Sequence, residues 1–68
     1  MPGTYKKIEI VGTSPSSFAE ATRNAVAEAA KSVRKMSWFE VVEQRGAIQD
    51  GKVSEFQVTL RVGFKIES

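Results

Sequence analysis

Near its C-terminus the chain alternates without a break. Phe56, Val58, Leu60, Val62, Phe64 and Ile66 are interleaved with Glu55, Gln57, Thr59, Arg61, Gly63 and Lys65. Successive side chains of a strand point to opposite faces, so Lys52 to Glu67 is predicted to be one long strand with an apolar and a polar face. Asp50-Gly51 stands immediately before it. A tight primed turn needs positive φ at both central residues, and this dipeptide supplies it. Ser37 to Gln49 is then the partner strand of a hairpin. An apolar face that long has to be covered, and the first half of the chain must provide the cover.

Two elements are predicted there. Lys6/Ile8/Ile10 alternate with Lys7/Glu9, which reads as a first strand with Ile8 and Ile10 inward, broken at Gly12-Thr13-Ser14-Pro15. Ser14 is a suitable N-cap, with Pro15 at the first helical position. From Pro15 to about Lys35, the residues Phe18, Ala21, Ala25, Ala29, Ser32, Val33 and Met36 recur at helical spacing. The centre of the stripe is alanine, at Ala21, Ala25 and Ala29, so the helix can lie close to a sheet. Lys31, Arg34 and Lys35 would crowd its last turn, where cations complement the helix dipole. The fold class is therefore α+β, in the order β-α-β-β. One helix lies on one face of a three-stranded antiparallel sheet, and residues 1–68 form a single domain.

Composition sets limits on function. A chain of 68 residues has a thin core, worth roughly 3–5 kcal/mol unless something staples it. Cys and His are both absent, which excludes disulfides, thiolate metal sites and imidazole general bases, leaving oligomerisation as the staple. Ten Lys/Arg against eight Asp/Glu give a net charge of +2. They are spread along the chain and not gathered into a stripe. No leader-like or membrane-spanning apolar run stands out, so a cytoplasmic protein is expected.

No second helix exists to cover the sheet's other face. If Gln49 faces Lys52, then Gln44 faces Gln57, Val42 faces Thr59, Glu40 faces Arg61 and Trp38 faces Gly63, all away from the helix. Phe39 and Val41 would point toward it, opposite Val62 and Leu60. A bulge at Gly51 would shift this register by one. Trp38 offers a rigid surface for stacking. Gln57 offers both acceptor and donors, which match the imide-like edge of a flavin or pyrimidine. Gly63 leaves space beside the indole. An oligomer interface would use Trp38 equally well, with Gln57 merely solvated. Arg45, next to Gly46, is either solvated at a frayed strand end or reaches an anionic ligand group such as a phosphate.

The segments Tyr5-Lys6-Lys7-Ile8-Glu9-Ile10-Val11-Gly12-Thr13-Ser14, Trp38-Phe39-Glu40-Val41, Arg45-Gly46, Phe56-Gln57-Val58 and Val62-Gly63-Phe64 resemble the bacterial dodecins nearly end to end. The resemblance implies a long sheet partly wrapped around the helix. It also implies a hollow homododecamer of cubic symmetry, built of trimers joined across two-folds. Flavin would bind at the inner ends of those two-folds, with isoalloxazine rings stacked between Trp38 and its symmetry mate and Gln57 on the pyrimidine edge. FMN is the implied ligand, with riboflavin or FAD as variants, and coenzyme A is held by some members. Storage, sequestration and photoprotective quenching follow as the implied function.

Other classes have less behind them. Catalysis lacks His, Cys and any carboxylate pair with an evident role, so no enzyme is expected. A coenzyme A or nucleotide module without flavin is the alternative that the resemblance leaves, and a single-strand nucleic-acid binder fits the basic pI of about 9.2. Against the nucleic-acid reading, the open face has one aromatic, and Glu40, Glu43 and Glu55 interrupt the basic residues. Carboxylates such as Glu9 or Glu67 binding a hard cation across an interface would be incidental.

Overall fold

A computed structural model describes residues 3–66. Strand β1 (Tyr5–Ser14) is followed by helix α1 (Phe18–Ala29), strand β2 (Met36–Gln49) and strand β3 (Lys52–Lys65). The sheet order is β1-β3-β2, with β3 central and antiparallel to both neighbours. This is the expected β-α-β-β, α+β architecture. Asp50 (φ 53°) and Gly51 (φ 74°) are both left-handed, so the hairpin turns through a primed turn as the dipeptide requires. Glu67, one of the suggested cation ligands, lies outside the described residues.

The core is thin and lies under α1. Ala21 and Ala25 of the helix meet Val58, Leu60 and Val62 of β3, all buried, with Ile8, Ile10, Phe18, Val26 and Met36 packed around them. Phe18 meets Phe56 edge to face, with ring centroids 5.0 Å apart. The alanine stripe brings the helix so near β1 that a Cβ at Gly12 would stand 2.1 Å from the Ala21 carbonyl oxygen. Only glycine fits there. Gly12 therefore does not break β1; it lets the strand pass beneath the helix.

The helix is shorter than its periodicity suggested. Its N-cap is Ser17, whose hydroxyl accepts from the Glu20 amide at 3.0 Å. Ser14 is the end of β1, paired with Phe56. Its buried hydroxyl accepts from the amides of Ser16 (2.9 Å) and Ser17 (3.3 Å) and donates to the Glu20 carboxylate. Ser14 thus ties the strand end to the helix start, and the cap falls three residues later than expected. The helix stops at Ala29, with Ala30 as C-cap. Lys31, Arg34 and Lys35 follow it instead of complementing its dipole; its last turn holds no basic residue. Lys35 takes a left-handed φ of 61° as the chain turns back, and Met36 opens β2 instead of continuing the helix.

A twelve-residue helix cannot cover a sheet with two fourteen-residue strands. It packs against β1 and β3. Phe39 and Val41 lie opposite Val62 and Leu60 as expected, yet they remain 49% and 48% exposed because the helix does not reach them. Ile66, expected on the core face, lies past the end of β3 and is exposed.

Candidate functional site

The face of the sheet opposite α1 carries three groups of side chains. At one end Trp38 pairs with Gly63 across the hairpin. A Cβ at Gly63 would stand 2.3 Å from Cζ2 and 2.4 Å from Cε2 of the indole. The expected space beside the ring is therefore its seat: the indole lies over the glycine. Tyr5 supports it from β1, with centroids 5.1 Å apart at 56°. Trp38 remains 40% exposed, so part of its surface stays available.

In the middle lies a charged ladder. Lys7 of β1 donates to Glu40 of β2, reaching across the central strand beside Gly63. Arg61 donates from Nε to Glu9 at 3.3 Å and stands between Glu9 and Glu40 in register. The Lys7 hydrogen bond and its charge hold the Glu40 carboxyl below its ordinary value. Cations alternate with carboxylates here, so this stretch does not form a patch of one sign.

At the other end, the register differs from the simple hairpin reading. The ladder shifts between Val41 and Glu43, and again between Ala47 and Ile48. Val42 and Ser54 are the extra residues, and the tight turn at Gly51 is not bulged. Between the two shifts, Glu43 faces Thr59 and Arg45 faces Gln57. This corrects the expected pairs Val42–Thr59 and Gln44–Gln57. It also moves Arg45 from a frayed end into a continuous strand. Arg45 donates from Nε to Oε1 of Gln57 at 2.8 Å, and Gln57 donates from Nε2 to Oε1 of Glu55 at 2.8 Å. The sequence reading gave Glu55 no role. Its signal was present, since Glu55 and Gln57 are two apart on one strand and share a face.

Trp38 and Gln57 share a face but not a place. Gly63, under the indole, is six residues from Gln57 on β3, roughly 20 Å at a rise of ~3.3 Å per residue. No flavin ring system spans that length. If both residues serve one ligand, they must come from different copies of the chain. On the helix side of the sheet at the Trp38 end, a depression lined by Val26, Met36, Ser37, Phe39 and Val62 holds about 140 Å³. Ordinary ligand pockets hold about 300–1,000 Å³. Among the described residues, no group of three or more Asp or Glu side chains is arranged to hold a metal ion, and no helix is long and apolar enough to cross a membrane.

Comparison with known proteins agrees with this geometry. The family model described as Dodecin matches residues 4–67. Dodecin from Thermus thermophilus is 48% identical over 67 residues, covering 98% of this chain and 97% of that protein. The structure of dodecin from Streptomyces coelicolor superposes with a TM-score of 0.94 at 48% identity, covering 97% of this chain and 94% of that one. A relative named calcium dodecin, from Mycobacterium tuberculosis, is 37% identical over 62 residues, covering 91% of this chain and 87% of that protein. The sheet order, the helix on one face and these matches along nearly the whole sequence lead to one conclusion: the chain belongs to the dodecin family, a family of small binding proteins.

Proposed function

We propose that this protein binds flavin, FMN first and riboflavin or FAD as variants, as a single dodecin domain assembled into a homododecamer of trimers. It stores and sequesters the flavin and quenches its excited state. The observation that carries this reading is the seat of Trp38. A large ring lies over a glycine that a larger residue could replace only by unseating the ring, is braced by Tyr5, and stays exposed on a face the chain does not cover. The seat covers the Gly63 backbone and fixes the ring in one place, and a rigid, exposed ring is what a stacking platform requires. The charged ladder beside it argues against a single-strand nucleic-acid groove, because Lys7 and Arg61 are each paired with a carboxylate.

Each residue has a distinct role. Trp38 stacks on the ring, excludes water from its face and supplies an electron donor in contact with it, which quenches the excited state. Gln57 of a second copy meets the pyrimidine edge with one acceptor and one donor. Arg45 uses Nε on Gln57 and keeps further N–H groups for an anionic group of the ligand. The roughly 20 Å between Trp38 and Gln57 within one chain makes assembly a condition of binding in this scheme. A two-fold axis that turns one sheet face onto another would meet that condition.

The test is a titration of FMN with the assembled apo-protein, followed by its fluorescence. Near-complete quenching that saturates at one flavin per chain is expected. Trp38→Ala should abolish quenching while the assembly persists by light scattering. If Trp38→Ala quenches FMN as wild type does, the platform assignment is wrong.

A further inference from the structure

We propose that Glu55 is a positioning residue. It fixes which way round the Gln57 amide stands, and hence which carbonyl of the flavin's pyrimidine edge Gln57 binds. The proposal rests on the flavin reading above for its ligand, but on geometry within one chain for its mechanism.

A glutamine amide has two nearly isosteric ends, an acceptor oxygen and a donor NH₂. Turning it over exchanges them. Here both ends are held by groups that cannot change sense. Arg45 can only donate, and it donates to Oε1 at 2.8 Å. The Glu55 carboxylate can only accept, and it accepts from Nε2 at 2.8 Å. Turning the amide over would set N–H against guanidinium N–H and oxygen against carboxylate. Both are repulsive, and both replace charge-assisted hydrogen bonds, the stronger kind. The bulge at Val42 makes the lock possible, because it brings Arg45 opposite Gln57. The strand pleat puts Glu55 on the same face two residues away.

The lock leaves one oxygen lone pair and one N–H of Gln57 free for a ligand. An imide edge reads acceptor, donor, acceptor. An amide of either orientation can therefore take the central N–H together with one flanking carbonyl, but the two orientations take different carbonyls. The carbonyl taken sets how far the ring slides along its edge, and therefore how it lies over the indole of the neighbouring copy. Glu55 thus acts on the ligand through Gln57, without touching it.

The test uses the assembled protein with Glu55→Ala and Glu55→Gln, and three readouts. In apo-protein, NMR should show the Gln57 Nε2 protons of wild type well separated, with one shifted downfield by the carboxylate; Glu55→Ala should collapse that separation. In FMN titrations, Glu55→Ala should weaken binding about ten-fold, the weight of one hydrogen bond to a charged group, with quenching at saturation retained. Glu55→Gln, which keeps an acceptor oxygen, should recover most of that loss. In infrared spectra with FMN labelled at one carbonyl carbon or the other, wild type should perturb one carbonyl and Glu55→Ala both in part. Wild-type affinity with an unchanged carbonyl pattern in Glu55→Ala would overturn the proposal. So would Gln57 protons that do not respond. Failure of wild type to quench FMN would overturn the ligand half together with the reading it rests on, while the apo-protein NMR would decide the Glu55–Gln57 half.

Discussion

On their helix side β1 and β3 are sealed by α1, whereas β2 carries large apolar side chains in the open along both faces. Leu60, Val58 and Ala21 are fully buried, while Trp38, Phe39, Val41 and Val42 are 40–49% exposed. The two regions share one sheet, and β3 belongs to both. The sealed region is held by contacts the chain makes with itself. The open region is held to β3 by its backbone ladder and a few side-chain contacts but has no layer packed over it, and large exposed apolar patches mark places where something else binds. The chain therefore divides into a part that seals itself and a part left open.

The sharpest way to break this division is to damage the sealed side. Leu60→Ala removes a fully buried side chain from beneath the helix and should cost about 2–5 kcal/mol. A core of this size supplies only ~3–5 kcal/mol, so the isolated chain should not stay folded. What remains should depend on assembly, with a urea midpoint that rises with protein concentration. A loss below roughly 1 kcal/mol, typical of a surface position, would mean that the core does not lie where this division puts it.

The second way is to damage the open side and leave the sealed side alone. Gly63→Ala places a methyl within 2.3 Å of the indole, so the ring must leave its seat. Overpacking of this kind costs about 1–3 kcal/mol, or roughly five- to 150-fold in affinity if the seat is what the ligand uses. The far-UV spectrum should persist, Trp38 emission should shift, and FMN quenching should weaken. Unchanged emission together with unchanged quenching would separate the site from its seat and leave Trp38 as an ordinary exposed ring.

The same division explains what could be read from the sequence. The long alternation of β3 and the Asp50-Gly51 turn stood out because period-2 patterning and positive φ leave few alternatives. Trp38 opposite Gly63, Glu40 opposite Arg61 and Phe39 opposite Val62 followed from the register at that end. The middle of the hairpin did not, because a bulge at Val42 and a compensating one at Ser54 cancel between the turn and Trp38. The adjacent apolar pair Val41-Val42 was the local signal, since two consecutive apolar residues break the alternation. That slip hid the Arg45–Gln57–Glu55 chain. The helix was overdrawn for a different reason: Ser32, Val33 and Met36 keep helical spacing although they serve the return to the sheet. At the other end Ser17-Phe18-Ala19-Glu20 has the Ser-x-x-Glu pattern of a capping box. That pattern marks the true start better than Ser14-Pro15 does.

The smallest expected effect concerns what holds the open face in the absence of a partner. Lys7 bridges from β1 to Glu40 on β2, so this ion pair ties the outer strands together over the central one. Both side chains are about half exposed, and solvent screening makes such pairs weak. The sign is still definite. The Lys7 hydrogen bond and charge depress the Glu40 pKa below its ordinary value of 4.5 in the folded state. The pair's contribution is therefore complete above that ordinary value and fades as pH falls through the depressed one. Lys7→Met should return Glu40 to a higher titration point, read from its side-chain carboxyl ¹³C shift, and should slightly flatten the acid limb of the stability curve. Added salt should do the same to wild type, since exposed pairs are screened within about a Debye length. If Glu40 titrates at one pH with and without Lys7, the bridge does not persist in solution. The link from β1 to β2 over the central strand would then be left to the contact between Tyr5 and Trp38.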